Sequence, residues 1–267
     1  MLMTTNSREE SLTRFGFSFE RGGVHLARSM MLDELEMLFQ SASEQTATAA
    51  DYQRAIIEEN CLAKRSVRTR QLTLRHLRGL YALSPENAIF RALRFFWQRD
   101  PDARGLLAFL VAYSRDSILS STAPFVQKIR IGESVNCPQL EAFLDEQEEG
   151  RFSKETLRAA SQRILASWVR AGHFVGHVRK TRTLAKPTAG ACSMALFLGY
   201  LHGARGQMLF DSEYMRILDC SSDNAIELAE SASRRGWIVF KRIGNVIEVQ
   251  FPNLLSQQEQ EWVREQS

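Results

Sequence analysis

The sequence predicts a mainly α-helical protein with helix-turn-helix and winged-helix-like units and a short C-terminal β-hairpin wing. Three observations carry that prediction. Apolar residues recur at helical spacing through most of the 267-residue chain, which is the signature of amphipathic helices. Ser, Asp and Ser-Pro cap signals break those runs into short pieces. Near the C-terminus, Trp237-Ile-Val-Phe-Lys-Arg-Ile243 and Val246-Ile-Glu-Val-Gln-Phe251 flank Gly244-Asn245, two β-rich runs about a two-residue turn.

The elements follow in order. Ser29–Phe39 reads as a helix with Met31, Leu35 and Leu38 on one side, and the small polar stretch Ser41–Ala50 as a loop. Asp51 caps a helix to about Asn60, Cys61–Arg65 turns, and Ser66 caps the next helix over 67–83. Ser84-Pro85 opens a helix over 85–97, with Pro at the first helical position. A further helix spans 102–120. Regular patterning breaks over Gly132–Pro138, which places a domain boundary there: an N-terminal domain 1–135 containing a helix-turn-helix-like unit at 51–83, and a C-terminal domain 136–267 containing a winged-helix-like unit at 221–252 and a polar tail. Glu141–Glu149 forms a short acidic helix, Ser153 caps a helix to about Ala171, and 173–186 is a strand or extended arm. Helices over 190–203 and 212–219 precede one capped by Ser221 and Ser222 that ends at Gly236.

Composition excludes several classes. No apolar run approaches the length of a membrane span, and Met1–Glu10 lacks the pattern of a signal peptide, so a cytoplasmic protein is expected. Cys61, Cys137, Cys192 and Cys220 are far apart, which argues against zinc or a disulfide framework. There is no phosphate-cradling loop, no nucleophile elbow and no zinc-protease motif. His173 and His177 have the spacing of ligands on a helix, but Gly172 and Gly176 interrupt it. No catalysis, cofactor, metal or small-molecule substrate is expected.

Charge is more informative. Of 34 cations 28 are Arg, and net charge is +3, yet residues 61–135 carry 13 bases against 5 acids and residues 156–210 carry 8 bases and no acid. Segregated basic blocks suit a polyanion. In the first block Lys64, Arg68, Gln71, Arg75 and Arg78 fall on one helical stripe, and Lys64, Arg65, Arg68, Thr69, Arg75 and Arg78 form a candidate DNA-binding set. An ordinary solvated face rich in Arg is the alternative. In the second block the set is Arg158, Arg163, Arg170, Arg179, Lys180, Arg182 and Lys186. It is suited to phosphates, or equally to an acidic patch on a partner or on this chain's own acidic ends. The helix before the C-terminal hairpin exposes Asp223, Glu227 and Glu230; phosphate repels these acids, so that unit reads as structural or protein-binding.

The runs Phe17-Ser-Phe-Glu-Arg-Gly-Gly-Val24 and Ala55-Ile-Ile-Glu-Glu-Asn-Cys-Leu-Ala-Lys-Arg-Ser-Val-Arg-Thr69 resemble the BrxA family of bacteriophage-exclusion (BREX) defence systems. Leu106-Leu-Ala-Phe-Leu-Val-Ala-Tyr-Ser-Arg115 and Trp168-Val-Arg-Ala-Gly-His-Phe174 fit its order of elements. The likeness spreads over 15–255 and is strongest over 55–80. It implies a mainly helical protein with winged-helix-like units that binds double-stranded DNA without catalysis, beside the system's methyltransferase, ATPase and phosphatase-like proteins. The chain departs from the family in an extra N-terminus and a Gln/Glu-rich tail from Ser256. No catalytic residue transfers, and the DNA-contacting residues above rest on charge alone. A docking scaffold of the same kind of complex, or a transcriptional regulator, are the other expectations.

Overall fold

In the computed structural model, residues 5–44 and 46–265 are described. Helices dominate: α1 Thr5–Thr13, α2 Leu32–Ser41, α3 Ala49–Ile57, α4 Val67–Tyr81, α5 Ala88–Arg99, α6 Arg104–Tyr113, α7 Ser117–Ser120 and α8 Ala123–Lys128. Then come β1 Ser134–Val135, α9 Cys137–Gln147, α10 Lys154–Arg170, β2 Phe174–Val175 and β3 Lys180–Arg182. The chain continues through α11 Ala189–Leu201, α12 Glu213–Arg216, α13 Ser222–Arg234, the hairpin β4 Val239–Ile243 with β5 Val246–Gln250, and α14 Gln257–Glu265. The mainly α class and the C-terminal hairpin are therefore as the sequence predicts.

Local chemistry explains the boundaries. Ser66, Ser153 and Ser221 accept the N–H of Thr69, Thr156 and Asn224 and start α4, α10 and α13 where expected. Elsewhere a different cap wins. Thr48, not Asp51, caps α3, with Asp51 as its capping-box partner. Asn87, not Ser84, caps α5. The long helix expected over 102–120 breaks after Tyr113, because Asp116 turns inward to cap α7 and bind His25.

α11 is buried on all sides and packs on α5, α6, α12 and α13. Buried apolar side chains from Leu12 to Val263 form one connected core that passes through both halves of the chain. Where patterning breaks over 132–138, the chain enters a three-stranded antiparallel sheet of order β1-β3-β2. Ser134 there pairs with Thr181, and Phe174 with Arg182. The polar tail is docked rather than free as far as Glu265. Glu259 is buried and paired with Arg91, and Trp262 sets its edge against Phe15 at 5.8 Å. Met1–Thr4, Gln266 and Ser267 lie outside the described residues.

Candidate nucleic-acid interface

The region from β1 to β3 has the order strand–helix–helix–hairpin, with the first strand pairing the last. This is the topology of a winged helix, in which α10 occupies the position of the second, recognition-type helix and the β2–β3 connection that of the wing. Sequence patterning shows two helices and a strand or extended arm here but no sheet, because strands of two or three residues are too short for a period-two signal. Gly176 makes the wing turn possible. Its φ is +99°, and a Cβ there would sit 2.2 Å from the Arg179 carbonyl oxygen. The tip exposes His177, Val178 and Arg179, and Val178 is 85% exposed.

α10 is half covered and half open. Toward its C-terminus, the segment Val24–Met30 lies across it. Arg163 donates to the Leu26 carbonyl, Ser167 Oγ accepts the Met30 N–H at 2.9 Å, and Arg170 pairs with Asp33. Toward its N-terminus, Lys154, Arg158 and Gln162 are exposed at four-residue intervals on one face, with Glu155 beside them. This first half is the part that a recognition helix presents to a duplex.

The candidate cations divide accordingly. Arg182 is corrected: it is buried, its two Nη groups holding both Asp219 oxygens at 2.7 and 2.6 Å, and it reaches no external phosphate. Arg163 is likewise a structural clamp. Arg170, Lys64 and Lys180 are occupied by Asp33, by Glu34 at 3.1 Å and by the His177 carbonyl at 2.7 Å. The chain's own acids thus answer part of both basic blocks. Arg170 and Lys64 flank the first turn of α2, which carries Asp33 and Glu34. Arg158, Arg179 and Lys186 remain exposed without a protein partner among the described residues.

On α4 the stripe is partly intact. Arg65, Arg68 and Arg75 are exposed and unpaired among the described residues, whereas Arg78 donates to Gln53 Oε1 at 2.8 Å. Thr69 is bound into the cap with Ser66, and Lys64 and Arg65 lie before the helix. The connection from α3 runs from Glu58 to Ser66, longer than the roughly three- to four-residue turn of a tight helix-turn-helix. Val67, in the first turn of α4, is half exposed.

The C-terminal unit shares only the order of helices followed by a hairpin: α11, α12 and α13 precede β4–β5, which form a two-stranded sheet with no third strand. Its recognition-like helix exposes Asp223, Glu227 and Glu230, and Lys241 of the wing faces Glu248 at 4.0 Å.

Two buried networks sequence reading missed lie under the α10 unit. His25 Nδ1 donates to Asp116 Oδ2 at 2.8 Å, and its Nε2 lies 2.9 Å from Ser167 Oγ. Burial alone would raise the Asp116 pKa, but interaction with His25 and hydrogen bonds from the His25 and Leu119 N–H groups outweigh it and hold the carboxyl low. The order Ser–His–Asp matches a nucleophilic triad. However, all three residues are buried, and Ser167 also engages the Met30 N–H and the Arg163 carbonyl, so no substrate reaches its oxygen. Second, His173 points inward, its Nε2 donating to the Ile217 carbonyl at 2.7 Å, and Phe109 and Trp168 pack on its ring. Burial pulls its pKa down to about 4, so at neutral pH it is an uncharged core group. His177 is on the exposed wing, and the two histidines do not converge.

No described helix is long and apolar enough to cross a membrane. No protein-family model matches the chain, and comparison with curated proteins and with solved structures finds no match.

Proposed function

We propose that this chain is a non-enzymatic double-stranded-DNA-binding accessory protein of a BREX-type phage-defence system, similar to the BrxA family and acting in the cytoplasm beside other proteins of that system. One observation carries the reading. The strand–helix–helix–hairpin unit leaves open the first half of α10 and the wing tip, and these hold unpaired Arg158 and Arg179. Lys186, Arg65 just before α4, and Arg68 and Arg75 on α4 supply further cations that are unpaired among the described residues. Phosphate contacts of this kind position a protein on a duplex without reading its sequence. The acidic α13 face favours a second role for the C-terminal unit, as the part that docks to a partner protein.

The test is a titration of the full chain against a random-sequence duplex from about 50 to 200 mM salt. Each phosphate contact contributes a slope of about −0.9 in log affinity against log salt. Arg158→Ala with Arg179→Ala is therefore expected to reduce the slope by about 1.8. Arg68→Ala with Arg75→Ala reduces it by a similar amount if α4 shares the footprint. No binding at the low-salt end, or unchanged slopes in both double variants, overturns the proposal.

A further inference from the structure

We propose that a cleft between α4 and the Phe17–Val24 segment binds a phosphate group. The cleft has a volume of about 430 Å³, room for a phosphate together with the ester it belongs to. Arg75, His76 and Gly79 of α4 line one side, and Arg21, Gly22 and Gly23 the other. Its charge is one-sided: Arg21, Arg75 and Arg115 stand against a single acid, Glu20.

Backbone donors are left open on the loop side. Ser117 Oγ lies 2.9 and 2.6 Å from the Glu20 and Gly22 carbonyl oxygens and ties down those acceptors. The N–H groups of Gly22 and Gly23 have no acceptor among the described residues. Both positions require glycine: Gly22 has a φ of +107°, and a Cβ on Gly23 would sit 2.1 Å from Asp116 Oδ1. Open N–H groups in a tight turn form an anion-binding concavity. Arg115 adds a charge that the protein does not neutralise. It donates to the Gly79, Arg78 and Gly16 carbonyls and pairs with no carboxylate among the described residues. Burial brings its pKa down to about 10, the response of a cation taken from water without a counter-charge. Arg21 and Arg75 are exposed and unpaired among the described residues.

His76 is the second, independent sign of a missing ligand. It is only 9% exposed, and its Nδ1 is buried without a hydrogen-bond partner. Its Nε2 has no partner among the described residues either, and is the ring nitrogen open to a ligand. Polar groups this deep are otherwise nearly always paired. Burial and the charges of Arg28 and Arg75 hold the His76 pKa down, so the ring is neutral at neutral pH. Phosphate answers every one of these groups at once, with several oxygens to accept from the guanidinium forks, the glycine N–H groups and the imidazole. Two sources carry that chemistry, a free phosphate and the backbone of a duplex. Arg75 alone is shared with the DNA-contacting set, so only the duplex source rests on the proposed function.

Magnetic resonance of the His76 ring in the full chain tests it, with inorganic phosphate titrated at constant ionic strength and acetate as the comparison anion. The expected result is a saturable shift at or below about 1 mM phosphate, with acetate at least about tenfold weaker. The bound anion also raises the His76 pKa. Arg21→Ala, at an exposed position that leaves folding intact, weakens phosphate by about tenfold, and Arg158→Ala leaves it unchanged. A second arm titrates the same variants with a random-sequence duplex. A salt slope lower by about 0.9 in Arg21→Ala assigns the cleft to a duplex phosphate; an unchanged slope beside intact phosphate binding assigns it to a free one. Phosphate binding by a chain that binds no duplex supports this inference and overturns the proposed function. Absence of a saturable phosphate shift together with an unchanged duplex slope, acetate binding as tightly as phosphate, or phosphate affinity that survives Arg21→Ala with an unchanged duplex slope overturns the inference.

Discussion

Asp219→Ala tests the reassignment of Arg182 from the surface to the core. In the native protein both Asp219 oxygens are held by Arg182, at 2.7 and 2.6 Å, and Oδ2 also accepts the Ala185 N–H at 3.3 Å. The side chains are 5% and 11% exposed, so removing the carboxylate leaves a guanidinium in the interior with only the His173 and Thr183 carbonyls as partners. Breaking a buried pair from one side costs about 3–5 kcal/mol. At about 2–4 °C per kcal/mol for a chain of this size, the melting temperature falls by roughly 6 to 20 °C. Replacing both partners, Arg182→Met with Asp219→Leu, restores most of it, because no unpaired charge remains. Thermal unfolding by circular dichroism reads the first effect. A DNA titration of the variants, at a temperature where they stay folded, reads the second and is expected to show unchanged affinity and salt slope. A melting temperature within about 2 °C of the parent, together with weaker DNA binding by the double variant, would refute the argument and return Arg182 to the interface.

Three further outcomes are expected. His173 has its folded pKa lowered to about 4, so the unfolded chain binds the extra proton between pH 6.5 and that value. Stability therefore falls as pH drops through this window, by about 3 kcal/mol in all. His173→Gln flattens that part of the urea-midpoint profile, and an unchanged profile would mean that His173 is not the titrating group. Ser167→Ala strands the buried Met30 N–H and His25 Nε2 and costs about 2 kcal/mol in urea unfolding; an active-site serine probe is expected to leave the native chain unlabelled, and labelling at Ser167 would contradict its burial. Gly176→Ala forces a Cβ against the Arg179 carbonyl at a φ of +99°, a strain of about 1–3 kcal/mol; it is expected to displace the wing and weaken DNA binding, and full affinity would remove the wing from the footprint.

Much of this architecture was legible in the residues because the relevant physics is local. Ser66, Ser153 and Ser221 announced their helices through side chains that reach only three residues ahead, and Gly244-Asn245 announced a hairpin through the backbone conformations its turn requires. The α4 stripe was visible for the same reason, since four-residue spacing alone puts Arg68 and Arg75 on one face. The competition between Ser84 and Asn87 to cap α5 was not, because both are competent caps and packing chose between them. Nor was the break after Tyr113, where Asp116 answers to His25, a residue distant in sequence.

Composition, charge segregation and helical periodicity by themselves determined a mainly helical chain with two basic blocks. Tertiary structure decided which cations those blocks keep free. Arg158 and Arg182 are indistinguishable in a sequence, yet one stands on an open helix face and the other is locked to Asp219. Tertiary structure also joined β1 to β3 across the intervening helices and so gave a winged-helix topology to a segment that reads as two helices and a strand or arm. The physical reason is common to both. A charge's availability and a short strand's partner depend on groups far along the chain, and only folding brings those groups together.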